Sequence, residues 1–156
     1  AEAVVGRGTG VDDAGLARKT DVVRAALALH RPDRTDPLGV LAAVGGLEIA
    51  AMAGLMLGGA ARRVPVVVDG FISTAAALVA VGLEPRVRDY LCFSHVSAER
   101  GHRVACEAMD ARPLLDLGMR LGEGTGAALA IDLLRAAVRL QAEMATFESA
   151  GVANRG

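Results

Sequence analysis

The sequence predicts an α/β fold: a three-layer, Rossmann-like arrangement in which a mainly parallel sheet is flanked by helices. Three observations carry this prediction. Short valine-rich apolar runs alternate with longer segments of helical periodicity. Val66, Val67 and Val68 form a continuous apolar run, the pattern of a strand buried on both faces. Glycine-rich turns follow the extended runs, as in "GRGTG" (6–10) and "GEGTG" (122–126). The 156 residues suit one domain with a sizeable core. No linker or low-complexity tract divides them, so residues 1–156 are expected to form a single α/β domain.

The elements follow in order. "EAVV" (2–5) predicts a short first strand ending in the 6–10 glycine turn. Residues 11–30 predict a helix: Asp12 and Asp13 stand at its start, and Leu16, Val22, Val23, Ala26 and Leu27 recur at helical spacing. "RPDRTDP" (31–37) is a polar loop with two prolines. The segment 40–61 is long and apolar enough for a membrane span, but Glu48 and the pair Gly45–Gly46 argue against one. It predicts a buried helix from near Gly46 to near Ala61, with Glu48 in the first turn, where a carboxylate suits the helix dipole. Residues 62–70 are the clearest strand, 72–82 a helix capped near Ser73 or Thr74, and 89–95 a further strand. Residues 97–110 predict a helix despite Gly101, and 112–120 fit either a short strand or a turn. Residues 125–150 form the longest predicted helix.

Composition excludes several function classes. The hydrophobic fraction is 53% and aromatics only 3%, so the core must come from Ala, Val, Leu, Ile and Met. A net charge of −1 gives no electrostatic footprint for nucleic acid or an anionic membrane. Cys92 and Cys106 are isolated thiols, which points to a reduced, cytoplasmic setting rather than a disulfide scaffold. The first residues lack the basic and apolar regions of a signal peptide. A start without Met on an apolar run suggests a piece of a longer protein. There is no P-loop and no G-x-S-x-G elbow, and His30, His95, His102 and the cysteines lack zinc-ligand spacing. "GRGTGV" misses the third glycine of a dinucleotide fingerprint.

In an open parallel sheet, ligands bind beyond the carboxyl ends of the strands. The polar residues gather at such positions: Gly6 to Gly10, Asp69 and Gly70, then Ser94, His95 and Ser97, and last Arg120 to Gly126. Two readings stand for each. Asp69 either caps the next helix or meets a ligand; Ser94 and Ser97 are local caps or ligand contacts. His95 fits a structural hydrogen-bonder better than a base. Lys19 is the only lysine beside sixteen arginines, either a solvated side chain or a partner for an anion at the first glycine turn. Glu123 interrupts what otherwise resembles a phosphate cradle. It is either a partner for the helix dipole or a general base in a concave site.

The blocks "GTGVDDAGLARK", "GGLEIAAMAGLML", "VPVVVDGFISTAAAL", "YLCFSHVSAERGH" and "RLGEGTGAALA" resemble, in order, those of the nicotinate-nucleotide–dimethylbenzimidazole phosphoribosyltransferases. The likeness runs from about residue 2 to residue 152. It implies transfer of phosphoribosyl from nicotinate mononucleotide to 5,6-dimethylbenzimidazole with inversion, giving α-ribazole 5′-phosphate and nicotinate in cobalamin lower-ligand assembly. It implies that Glu123 is the general base. Leu121 and Gly122 would line the benzimidazole and ribose region. Gly8, Thr9 and Lys19 would serve the donor phosphate, and Asp69, Gly70, Ser97 and Arg120 the donor's ribose and nicotinate. It implies no cofactor, no metal and a homodimer. Family members are longer, with an N-terminal portion that adds a second acidic residue, an Asn-Thr-Thr glycine turn and helices over the benzimidazole. This chain resembles their C-terminal portion, so a catalytically incomplete nucleotide- or nucleobase-binding module is the alternative reading.

Overall fold

The computed structural model describes residues 1–8 and 10–152. Helix α1 (Asp13–His30) starts where Asp12 accepts the Gly15 N–H at 2.7 Å, and it ends at Arg31 in the left-handed region. The helix expected from near Gly46 to near Ala61 forms, and a further short helix precedes it. Helix α2 (Pro37–Val44) opens on a proline at its first position, with Asp36 capping the Gly39 N–H at 2.9 Å. Helix α3 (Leu47–Ala61) follows after Gly45 and Gly46, whose extended backbone breaks the helical path. That break divides the one segment whose length suggested a span. No helix among the described residues is long and apolar enough to cross a membrane.

Strand β1 (Val66–Val68) and strand β2 (Leu91–Phe93) pair in parallel, with Val67 opposite Cys92. Helix α4 (Gly70–Leu83) makes the crossover, and a 3₁₀ turn over Pro85–Tyr90 leads into β2. The chain is thus a mixed α/β fold with a small parallel sheet. After β2, a lone parallel bridge joins His95 to Leu115, which resolves the ambiguous 112–120 segment as one strand-like contact. Helix α5 (Arg100–Ala108) and helix α6 (Thr125–Glu143) complete the order.

Three expectations change. Residues 2–5 are a turn, not a strand, because the N–H groups of Val4 and Val5 go back to the Ala1 carbonyl at 3.1 and 3.0 Å instead of to a neighbouring strand. Ser73 and Thr74 do not cap α4. They lie inside its first turn, where their hydroxyls donate to the Asp69 and Gly70 carbonyls. Helix α6 stops at Glu143, well before residue 150. There Thr146 turns the chain by accepting the Ser149 N–H at 3.1 Å, and the last turns of the helix are exposed.

The core follows from the composition. Ala76, Ala77 and Ala80 of α4 are fully buried and let α3 approach closely, with Ala53 and Met56 facing them. Val87 of the 3₁₀ turn and Phe93 of β2 are buried in the same cluster, and each contributes about 2–3 kcal/mol by removal from water. Gly59 sits under Val66, and a Cβ there would come within 2.7 Å of Val66 Cγ2. By contrast Leu133, Val138, Leu140 and Met144, on and just past α6, are exposed.

Candidate active site

The turns at the carboxyl ends of β1 and β2 and the turn before α6 open on one cleft of about 1240 Å³. Its mouth carries Gly8, Lys19, Asp69, Gly70, Ser97, Arg120, Gly122 and Glu123. Its wall is apolar, from Val4, Val5 and Val11 and from Val22 and Val23 on α1. The failed strand at 2–5 therefore serves as wall rather than as sheet.

Lys19 reaches back from α1 to the first glycine turn, donating to the Gly6 carbonyl at 2.8 Å. Its ammonium stands 3.8 Å from where a Gly8 Cβ would be, and Gly8 is left-handed at φ +64°. The cation is thus held beside a backbone that only glycine adopts easily. Thr9, grouped with these residues from sequence, lies outside the described residues.

Asp69 ends β1 and occupies the position before α4, but its carboxylate does not cap that helix. Its Oδ1 accepts the Ala127 N–H of α6 at 2.7 Å. Ser94 Oγ lies 3.5 Å from the same oxygen and His95 Nδ1 lies 3.7 Å away. Ser94 Oγ and His95 Nδ1 are 3.0 Å apart. Ser94 and His95 are both buried, so these are internal contacts and not a solvent-facing nucleophile and base. The structural reading of His95 from sequence fits this geometry, yet the residue also lines the cleft.

Ser97 is held by a second histidine. Its N–H donates to His102 Nδ1 at 3.2 Å, which leaves the His102 proton on Nε2, 3.6 Å from Cys106 Sγ. Burial, with the nearby His95 and Arg103 adding to it, lowers the His102 pKa below its ordinary value of 6.5. Burial raises the Cys106 thiol. Ser97 Oγ accepts the Glu99 N–H at 3.3 Å.

Glu123 sits on the turn before α6 in the left-handed region, φ 56°, between Gly122 at 80° and Gly124 at 78°. Thr125 closes the turn by donating its N–H and its hydroxyl to the Gly122 carbonyl at 3.1 and 2.7 Å. Glu123 is exposed and lines the cleft. Leu121 is not brought into the lining; it is 74% exposed.

Sequence reasoning missed Glu99, Phe71 and the valine wall. Glu99 folds its carboxylate against Gly6 at the start of the first glycine turn. Gly101, flagged as a helix breaker, is buried: a Cβ there would lie 2.7 Å from Phe71 Cε2 and 3.1 Å from the Val4 carbonyl. Its glycine was the one visible signal that α5 approaches the cleft wall closely. No cluster of His, Cys, Asp and Glu among the described residues could hold a metal ion.

A family model described as a phosphoribosyltransferase matches residues 1–152. The chain is 62% identical over 151 residues to the nicotinate-nucleotide–dimethylbenzimidazole phosphoribosyltransferase of Desulforudis audaxviator. It belongs to this phosphoribosyltransferase family. The family's enzyme from Geobacter sulfurreducens is 63% identical over 151 residues. Each alignment covers 97% of this chain and 43% of the relative, so the chain spans less than half the length of these phosphoribosyltransferases. A crystal structure of CobT from Thermus thermophilus superposes with a TM-score of 0.90 at 53% identity, covering 99% of this chain and 46% of that one.

Proposed function

We propose that this chain is the C-terminal, Glu123-bearing portion of an enzyme that transfers phosphoribosyl from nicotinate mononucleotide to 5,6-dimethylbenzimidazole. The carrying observation is the cleft that gathers Lys19, Asp69, Ser97, Arg120 and Glu123 from separate parts of the chain. The names of its relatives support the same reading.

The chemistry follows from these groups. One ring nitrogen of the benzimidazole attacks the anomeric carbon of the donor ribose, on the face opposite nicotinate. Glu123 takes the proton from the other ring nitrogen as the new C–N bond forms. The donor's C–N bond breaks, and its electron pair returns to the pyridinium nitrogen. Nicotinate leaves with a neutral ring, and the product is α-ribazole 5′-phosphate. The acceptor becomes more acidic as it attacks, so an exposed carboxylate at the cleft mouth is a sufficient base. Lys19 and the backbone at Gly8, with Thr9, serve the donor phosphate. Asp69, Gly70, Ser97 and Arg120 serve its ribose and nicotinate, and Gly122 with Leu121 the benzimidazole. Positioning supplies much of the remaining rate. The reaction as written uses no cofactor and no metal.

The finer architecture belongs to the same proposal. A groove lined by Leu55 of α3, Val66 and Val67 of β1, and Ile131 of α6 is apolar. It suits further strands and helices from the rest of the enzyme, which would build the three-layer, mainly parallel, Rossmann-like sheet. The exposed apolar residues along α6 suit burial in a homodimer or against that remaining part. A cytoplasmic setting fits the two free thiols.

A second reading has its own observation. Leu121 is exposed beside the cleft, so nothing among the described residues covers the proposed benzimidazole position. The chain alone would then bind donor without turnover. Chromatography after incubation with nicotinate mononucleotide and dimethylbenzimidazole decides between them. Turnover is expected when the remaining part of the enzyme is supplied, and Glu123→Gln should abolish it while donor binding persists. Turnover that survives Glu123→Gln would refute the assignment of the base.

A further inference from the structure

Helix α6 has no cap of its own. Gly124 stands at the capping position and has no side chain to cap with, and the helix start has no side-chain cap hydrogen bond. The first turn is held instead by two residues from other elements. Asp69, at the end of β1, accepts the Ala127 N–H through Oδ1 at 2.7 Å, across 58 residues of sequence. His95, two residues past β2, lies directly against Gly126: a Cβ on Gly126 would come 2.6 Å from His95 Cε1 and 2.7 Å from Cγ. The imidazole is itself fixed. It is 3% exposed, and its Nδ1 meets the hydroxyl of the fully buried Ser94 at 3.0 Å. Ser94 is tied on both sides by its backbone, donating to the Val68 carbonyl at 2.9 Å and accepting from Leu115 at 3.0 Å.

We infer that Asp69 and His95 are positioning residues that seat the first turn of α6 and so set where Glu123 stands in the cleft. The functional half of this statement rests on the proposed role of Glu123. The seat has two parts of different character. Asp69 supplies a charge-assisted hydrogen bond, aided by the positive end of the α6 dipole. His95 supplies a flat, rigid surface that admits a glycine and nothing larger. Together they fix the helix in height and rotation, and the turn Gly122–Gly124 is carried along because Thr125 ties it to the helix start. Asp69 therefore has one oxygen already committed inside the protein, which leaves Oδ2 for any ligand contact.

Amide hydrogen exchange of this chain tests the seat without relying on turnover. Asp69→Ala and His95→Ala should each speed exchange at Ala127 and Ala128 by about tenfold to a hundredfold, the loss of one charge-assisted bond or of a packing surface. Val67 and Cys92, in the sheet, should keep their rates. Asp69→Asn keeps an oxygen that accepts the Ala127 N–H and should recover most of the protection. Gly126→Ala should loosen the turn, and adding His95→Ala should cost less than the sum of the two changes, because the methyl then has room. In turnover by the assembled enzyme, Gly126→Ala should lower kcat and leave the donor KM within about twofold, since it displaces the base and not the donor site. Unchanged exchange at Ala127 in both alanine variants would overturn the inference. So would equal acceleration throughout the sheet, which would make Asp69 and His95 general supports of the fold. If Glu123→Gln abolishes turnover while exchange is unaffected by the seat variants, only this inference fails. If the seat variants behave as described but Glu123→Gln retains turnover, the seat stands and the proposed role of Glu123 fails.

Discussion

Glu123 is a glutamate in a backbone conformation that suits glycine, and this makes its stability cost measurable. Its φ is 56°, between two glycines at 80° and 78°. A side-chain-bearing residue in the left-handed region costs roughly 1–2 kcal/mol. Glycine removes that cost but gives back about 0.5–1 kcal/mol through the greater freedom of the unfolded chain. Replacing residue 123 by glycine should therefore stabilise the protein by about 0.5–1 kcal/mol on backbone grounds. The helix-dipole contribution of the carboxylate confuses a direct comparison, so the proper reference is Glu123→Gln, which also lacks the charge. Glu123→Gly should melt above Glu123→Gln by about 1–4 °C for a chain of this size, and both should lose turnover. Thermal unfolding of the two variants, measured side by side, is the assay. A glycine variant that melts with or below the glutamine variant would mean the side chain at 123 is held by stabilising contacts. The conformation would then be no sign of strain kept for function.

Two further outcomes are expected. Lys19→Met should weaken nicotinate mononucleotide binding about tenfold, the loss of one charge-assisted hydrogen bond, and should flatten its dependence on salt; calorimetric titration at two ionic strengths measures both. His102 is held neutral by burial, its pKa lowered from 6.5, so below about pH 6.5 the unfolded chain binds more protons than the folded one. Its contribution to stability is therefore fully present above pH 6.5 and is lost as pH falls toward the lower folded value. Urea midpoints from about pH 7 down to pH 5 should decline, and His102→Gln should reduce the decline.

What the sequence made legible is what local physics decides. The valine run at 66–68 and the helical periodicity of 11–30 gave β1 and α1 because apolar pattern and backbone propensity agree there. The residues at the turns stood out because they follow the extended runs, where an open sheet binds ligands, and Lys19, Asp69, Ser97, Arg120 and Glu123 do line one cleft. The strand expected at 2–5 failed because so short an apolar run does not say what it will face. Its valines became wall of the cleft. The helix boundary at Gly45–Gly46 was visible as a glycine pair but was read as the start of one helix, not as the gap between two. Asp69 was weighed as a cap for the helix that follows it in sequence. Its partner is 58 residues away, and no local pattern reports that.

The choice of glycine at position 124 explains why the partner has to be distant. A residue that caps its own helix, such as Ser or Asp, normally takes extended backbone angles, and its side chain reaches forward to the N–H two or three residues on. Position 124 is left-handed, φ 78°, in the turn that carries residue 123 into the cleft lining. A side chain is disfavoured there, and the usual local cap is lost with it. The free N–H of Ala127 then needs an acceptor from elsewhere, and Asp69 at the end of β1 supplies it at 2.7 Å. The same geometry that places Glu123 in the cleft thus transfers the capping of α6 to a residue at the end of β1. The turn carrying the proposed base is tied to the sheet by that carboxylate, and its precision depends on a strand remote from it in sequence.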